Sequence, residues 1–318
     1  WHKPITILAK SWVSPCATPQ TAKPPEPFNT KNTMNKTLLV ELFTEELPPK
    51  ALNTLGQAFT ELLSNALRED GHLLSESQVQ AFASPRRLAC KITHVAAVAP
   101  EKTVQERLLP VKIGLDANGQ PTPPLLKKLA SLGLENITVD QLQTSSDGKQ
   151  DVLHISRTQP GKTLQESLNR ALEQATSKLP IPKVMSYQRP DGSTVHFVRP
   201  AHKLVALHGT DVVPAQVLGL QAGRTTLGHR FLSHGPIEVA NADGYENQLE
   251  QEGKVIACFG KRRNTIVAKL AEQAAGDQVV QPADLVDEVC ALVEWPVVYE
   301  ANFEKEFLEV PQECLILT

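Results

Sequence analysis

Val195-His-Phe-Val-Arg-Pro-Ala-His-Lys-Leu-Val-Ala-Leu-His-Gly209 is followed, after a loop, by Gly219-Leu-Gln-Ala-Gly-Arg-Thr-Thr-Leu-Gly-His-Arg-Phe-Leu-Ser-His-Gly-Pro236. Leu204 to Leu207 and Val212 to Leu220 have the length and branched-chain content of buried strands, and the glycines and prolines between them mark turns. Asp211 is the only acid in the stretch. Against it stand Arg199, Lys203, Arg224 and Arg230, with five of the chain's nine histidines: His196, His202, His208, His229 and His234. The expectation is a small sheet whose connections carry cations. In Gly223-Arg-Thr-Thr-Leu-Gly-His-Arg230, glycines surround hydroxyls, an imidazole and two guanidiniums, a composition suited to an anion or an RNA backbone. The same composition suits a polar strand connection whose arginines pair with acids elsewhere in the fold.

Working outward toward the N-terminus, Thr37 to Phe43 reads as a strand, and Pro48 and Pro49 suit the first turn of a helix. Leu52, Leu55, Phe59, Leu62 and Ala66 lay an apolar stripe along that helix, which should stop near Gly71. A strand around Val79 to Phe82 runs into Ser84-Pro-Arg-Arg87, and Leu88 to Val95 resumes a strand. Two arginines on a tight turn are expected to project outward, either gripping a phosphate backbone or forming an exposed basic turn. Beyond Pro100, Asp116 to Gly119 reads as a turn, Leu125 to Leu132 as a short helix, and Val139 to Ser156 as a hairpin around Asp147-Gly148. Gly161-Lys-Thr163 resembles the end of a phosphate-binding P-loop, but Ser156 stands where that motif requires a glycine. Thr163 instead predicts a helix N-cap with Glu166 completing a capping box, and Leu164, Leu168, Leu172 and Ala175 form the buried stripe.

Toward the C-terminus, Met185 to Phe197 predicts a hairpin across Pro190-Asp191-Gly192. After the opening stretch come a short polar helix (Tyr245 to Glu252), a strand (Lys254 to Phe259) and a helix that begins with Lys261-Arg262-Arg263 and turns Ile266, Val267 and Leu270 inward. Three cations at a helix start oppose the macrodipole, so an anion is expected nearby, either RNA or the acidic segment downstream. That segment, Gly276 to Glu313, holds ten acids against Lys305 alone. Its charge is −9 within an overall −3, which leaves +6 on the rest of the chain. Leu285, Val289 and Leu292 share one helical face there, Pro296 should end that helix, and Pro311 reads as the start of another.

No apolar run approaches the roughly 20 residues of a bilayer span. Five scattered cysteines (Cys16, Cys90, Cys258, Cys290, Cys314) without a Cys-x-x-Cys pair point to a reducing cytoplasm. Trp1 to Thr33, with six prolines and no periodic apolar pattern, reads as a disordered or artefactual extension ahead of a fold that starts near Met34. The histidine spacings form no helical metal pair and no His-Glu-x-x-His, although a strand pair could still gather three imidazoles. The residues alone therefore predict an α/β (α+β) protein of small mixed sheets with packed helices in two or more subdomains, with a basic body. The division read from the sequence is 34–110, 111–183 and 184–318, the last a basic β-rich core followed by the acidic helical segment.

Leu39-Val-Glu-Leu-Phe-Thr-Glu-Glu-Leu-Pro-Pro49, Ser84-Pro-Arg-Arg-Leu-Ala89, Phe197 to Gly209, Gly223 to Phe231, Glu294-Trp-Pro-Val297 and Phe307-Leu-Glu-Val-Pro-Gln-Glu313 carry a further signal. In order and spacing they resemble the β subunit of bacterial glycyl-tRNA synthetase, over its N-terminal portion. Lys203, Ser186-Tyr187 and Cys258-Phe-Gly-Lys261 depart from the usual pattern of that family. The resemblance implies a cytoplasmic α2β2 enzyme that attaches glycine to tRNA(Gly). Its α subunit would hold the glycine and ATP sites and use Mg2+, while the β subunit contributes tRNA binding and assembly and no catalytic residue. In that frame Arg86, Arg87, Arg199, His202, Arg224, His229, Arg230, Arg262 and Arg263 are the candidate RNA-backbone contacts, chosen by their chemistry. The competing class is a stand-alone metal-assisted esterase or phosphohydrolase built on the histidines.

Overall fold

The structure is a computed structural model that describes residues 35–313 apart from 117, 135, 136, 147–149, 277, 302, 303, 305–308 and 312. In chain order the first half holds β1 (Lys36–Thr44), α1 (Pro49–Asp70), β2 (Val79–Ser84), β3 (Arg87–Val95), β4 (Lys102–Pro110), α2 (Val111–Gly114), α3 (Pro123–Ser131), β5 (Leu142–Ser146), β6 (Asp151–Gln159) and α4 (Leu164–Lys178). The second half holds β7 (Met185–Gln188), β8 (Thr194–Phe197), β9 (Ala201–His208), β10 (Asp211–Val212), β11 (Gln216–Val217), β12 (Leu220–Gly223), β13 (Thr225–Leu227), β14 (Pro236–Glu238), α5 (Tyr245–Gln251), α6 (Phe259–Gln273) and α7 (Ala283–Leu292). Helices combined with several small mixed sheets make this the expected α/β class.

The strand read from Thr37 to Phe43 is β1, and it is the centre of the molecule. It pairs antiparallel with β3 on one side and β9 on the other, with Val40 opposite Cys90 and Ala206, in a sheet ordered β11-β12-β9-β1-β3-β2 with β10 added at β9. Every residue of β1 after Lys36 is buried, because both faces of the sheet are covered. Leu38, Val40 and Leu42 enter the larger core, where α1 and α4 pack together. Leu39 enters a second core on the opposite face with Phe82, Val205, Leu207, Tyr245 and Leu249.

Local signals set the helix ends where expected. α1 starts on Pro49 and stops at Gly71, whose φ of 95° lets its N–H reach back to the carbonyls of Leu67 and Arg68. At α4, the Thr163 N–H donates to Glu166 Oε2 (2.9 Å) and the Glu166 N–H to Thr163 Oγ1 (3.3 Å), so the capping box is formed as predicted. Between these helices, β4, β6 and β5 form a separate three-stranded layer with α2 and α3 over Leu108, Leu125, Leu129, Leu153 and Ile155. β4 thus pairs with β6 beyond residue 110, and the layer runs from Lys102 to Gln159 before α4 returns to α1. The turn of the β5–β6 hairpin at Asp147-Gly148 lies outside the described residues, as do the 1–33 extension and most of the helix expected from Pro311.

Two expectations are corrected. Val212 to Leu220 is not one strand, because a turn through Leu218 (φ 52°) folds β11 back onto β12. Lys254 to Phe259 forms no strand: its main chain makes isolated bonds, among them the Ile256 N–H to the Glu294 carbonyl (3.0 Å) and the Ala83 N–H at the end of β2 to the Ala257 carbonyl (3.1 Å). In α7, Leu285, Val289 and Leu292 share one face as expected; it is the outer face, and the buried one is Val286, Cys290 and Ala291.

Candidate nucleic-acid interface

Most of the motifs read from the sequence meet inside the protein, around β1. Glu41 sits on the second-core face of β1 with no exposed surface, among apolar neighbours, where an unpaired carboxylate costs several kcal/mol. It is not unpaired. Arg87, at the start of β3, donates from Nη1 to Glu41 Oε2 (3.2 Å), from Nε to Ser84 Oγ (3.0 Å) and from Nη2 to the Leu227 carbonyl (2.7 Å). The hydroxyls of Thr226 and Tyr245 also donate to Glu41. Next door, Arg86 donates from Nη2 to Glu294 Oε2 and to the Gly228 carbonyl, both at 2.8 Å, and the second oxygen of Glu294 lies 3.8 Å from Arg87. Both guanidiniums stand over the Phe43 ring, at 5.2 and 5.4 Å.

Burial alone would pull the Arg87 guanidinium down. The charge of Glu41, with Tyr245 and Glu294 behind it, instead holds it above its ordinary value. Burial and the same carboxylate push the Tyr245 phenol well above its usual range, so it stays a donor. The β2–β3 turn does not project outward, because the 224–228 segment and the loop at Glu294 cover it. Gly228 permits that cover, since a Cβ there would fall 2.6 Å from the Gly253 Cα. Arg86 and Arg87 are therefore withdrawn as RNA contacts: both are buried, Arg87 is bonded through all three nitrogens, and Arg86 Nη2 is held by Glu294 and the Gly228 carbonyl.

Arg262 is withdrawn for the same reason. It is fully buried and donates to the carbonyls of Cys290 (2.9 Å), Ile256 (2.6 Å) and Ala83 (2.9 Å), tying α6 to α7 and to the end of β2. The cations that open α6 find their anions within the protein: Lys261 pairs with Glu250 of α5, and Arg263 with Asp287 of the acidic segment. Of the two anions expected there, the acidic segment is the one beside Arg263.

The remaining candidates lie at the surface. Arg199, His202 and Arg230 gather on the acid pair that follows β1. Arg199 Nε donates to the Glu46 carbonyl (3.0 Å), His202 Nε2 lies 3.0 Å from Glu45 Oε1, and Arg230 reaches Glu45 (3.2 Å) and Glu46 (3.1 Å). His229 braces a turn, its Nδ1 accepting the N–H groups of Phe231 and Leu232 at 3.2 Å, and the turn holds the Phe231 ring outward at 82% exposure. Beside it a cleft of about 240 Å³ runs from Glu46 and Arg230 to Trp295. Arg224 stands apart and donates to the Thr210 carbonyl (2.7 Å). Glu41, Glu45, Tyr245 and Phe231 were missed as members of these clusters. The one signal in the sequence was Glu41 itself, a lone acid inside a buried strand.

The histidines do not converge. His196 bonds Ser186, His202 bonds Glu45, His208 bonds the Val95 carbonyl and His229 its own turn. Among the described residues no three His, Cys, Asp or Glu side chains are grouped to hold a metal ion, so the hydrolase reading has lost the cluster it was built on.

The family model for the "Glycyl-tRNA synthetase beta subunit" matches residues 38–318. The chain is 52% identical over 286 residues to the glycine–tRNA ligase beta subunit of Ralstonia nicotianae, covering 89% of this chain and 41% of that protein. It is 55% identical over 293 residues to that of Acidovorax sp. strain JS42, covering 89% and 40%, and 54% identical over 299 residues to that of Dechloromonas aromatica, covering 89% and 42%. It thus spans about two fifths of the length of these curated relatives. With the motifs that carry the match interlocked around Glu41, Arg87 and Glu294, the chain belongs to the glycyl-tRNA synthetase β-subunit family.

Proposed function

We propose that this chain acts within a cytoplasmic α2β2 glycine–tRNA ligase. In this reading it contributes tRNA(Gly) binding and assembly to ATP-dependent glycine attachment, while the glycine, ATP and Mg2+ sites belong to the α subunit. The observation that carries the reading is the surface around Glu45 and Glu46, where His202 and Arg230 lie about 3 Å from the two carboxylates and Arg199 is held on the Glu46 carbonyl, beside an exposed aromatic ring. Exposed ion pairs are worth about 0–1 kcal/mol, so an arriving phosphate can take Arg230 or His202 from Glu45 at little cost. Phe231 offers a face on which an unpaired base can stack, a contact worth about 1–3 kcal/mol. His229 extends the same side, while Arg224 stands apart, and Arg263 contributes where Asp287 yields it.

The test is glycylation of tRNA(Gly) by a cognate α subunit with residues 34–318 added, beside a full-length β subunit as control. Charging above the α-only background, with tRNA binding that weakens steeply with salt, supports the reading. A chain that neither binds tRNA nor supports charging, in an assay where the control works, removes it.

A further inference from the structure

Helix α7 is apolar on two sides. Val286, Cys290 and Ala291 are buried, whereas Leu285, Val289 and Leu292, spaced i, i+4 and i+7, lie on the opposite side at 52, 38 and 59% exposure. A helix apolar on two sides is one that is covered on both, and the described residues cover only one. The outer stripe continues past the helix. Val280, Val297 and Tyr299 are also exposed, and with Leu285 and Val289 they line a groove of about 350 Å³ alongside α6. A contiguous apolar face of this kind marks a protein contact.

The rim of the groove decides what sits there. Asp284, Glu288 and Glu300 are exposed beside it, in the segment that holds ten acids against Lys305. Phosphates are repelled from such a rim, so RNA is not its occupant. A second copy is disfavoured too, because a two-fold contact would set acidic rim against acidic rim. What complements the face is a helix with an apolar stripe flanked by lysine or arginine, anchored at i, i+4 and i+7.

We propose that this groove receives an amphipathic, basic-flanked helix of the α subunit, an inference that rests on the assembly reading above. The stripe then supplies the central anchors and the acids fix orientation and speed encounter. The experiment uses the β subunit and its α subunit. A photo-reactive p-benzoylphenylalanine replaces Tyr299, which lines the groove, and in separate variants Leu285→Asp and Val289→Asp introduce charge on the exposed stripe. Expected are a Tyr299-position cross-link to α, α affinity weakened at least about 30-fold in both variants, and unchanged tRNA affinity and helical circular dichroism. A cross-link confined to the chain itself or to a second β chain, no cross-link at all, or α affinity unchanged in the variants, overturns the groove assignment. Failure of the wild-type subunit to assemble with α would instead remove the assembly reading and the groove with it.

Discussion

Arg87 Nη1 and Glu41 Oε2 face each other at 3.2 Å with neither side chain exposed to solvent. The pair joins β3 to β1, and through Thr226, Tyr245 and the Leu227 carbonyl it joins the sheet to the layer above it. Removing one member leaves a buried charge without its partner, a loss of about 3–5 kcal/mol. Arg87→Met and Glu41→Leu are each expected to lower unfolding free energy in urea by that amount. The double variant should cost less than the sum of the two, because no lone charge remains. Additive losses would show that the two groups do not act as a pair.

Arg262 separates a structural role from an RNA role in one experiment. Its donors satisfy carbonyls of Ala83, Ile256 and Cys290, so Arg262→Met should destabilise the protein by about 2–4 kcal/mol. The slope of log tRNA affinity against log salt, measured below the variant's melting temperature, should not change. A flatter slope with unaltered stability would return Arg262 to the list of phosphate contacts.

Arg230 should behave in the opposite way. It is half exposed and bridges Glu45 and Glu46, so Arg230→Ala is expected to change stability by less than about 0.5 kcal/mol. If it binds a phosphate, the variant loses affinity for tRNA of any sequence and about one unit of salt slope. Fluorescence anisotropy at a series of salt concentrations reads both quantities.

Acid should destabilise the fold in two phases. His72 is fully buried, with its ring nitrogens 2.9 Å from the Ala96 carbonyl and from Ser167 Oγ, and burial lowers its pKa, as it does for His208. Protons then bind the unfolded chain more readily, so stability falls as pH drops below about 6.5. Burial would raise the Asp70 carboxyl, but hydrogen bonds from Lys162, Ser167 and Arg170 hold it down at about 2. Its contribution is present above about pH 4 and is lost as pH falls toward 2. Asp70→Asn should remove the lower phase and His72→Gln should reduce the upper one, read from urea midpoints across pH.

Local chemistry determined much of this protein from its sequence alone. Thr163 and Glu166 announced the start of α4, Gly71 the end of α1, and the apolar run after Thr37 the central strand, because caps, turns and periodicity act over a few residues. The motifs around Leu39, Ser84, Phe197 and Gly223 were likewise enough to indicate the family. The role of each cation was decided only by the tertiary structure. Arg86 and Arg87 read as an exposed basic turn, yet they lie beneath residues about 140 to 210 positions away, Gly228 and Glu294 among them. Arg262 and Arg263 are adjacent in the chain, but helical geometry turns one into the core and the other to Asp287. The same geometry put Leu285, Val289 and Leu292 outside and Val286 and Cys290 inside, a choice between two apolar faces that periodicity cannot make. Whether a charge serves the fold or a partner depends on which distant acids and carbonyls the chain brings to it, and a linear sequence does not encode that distance.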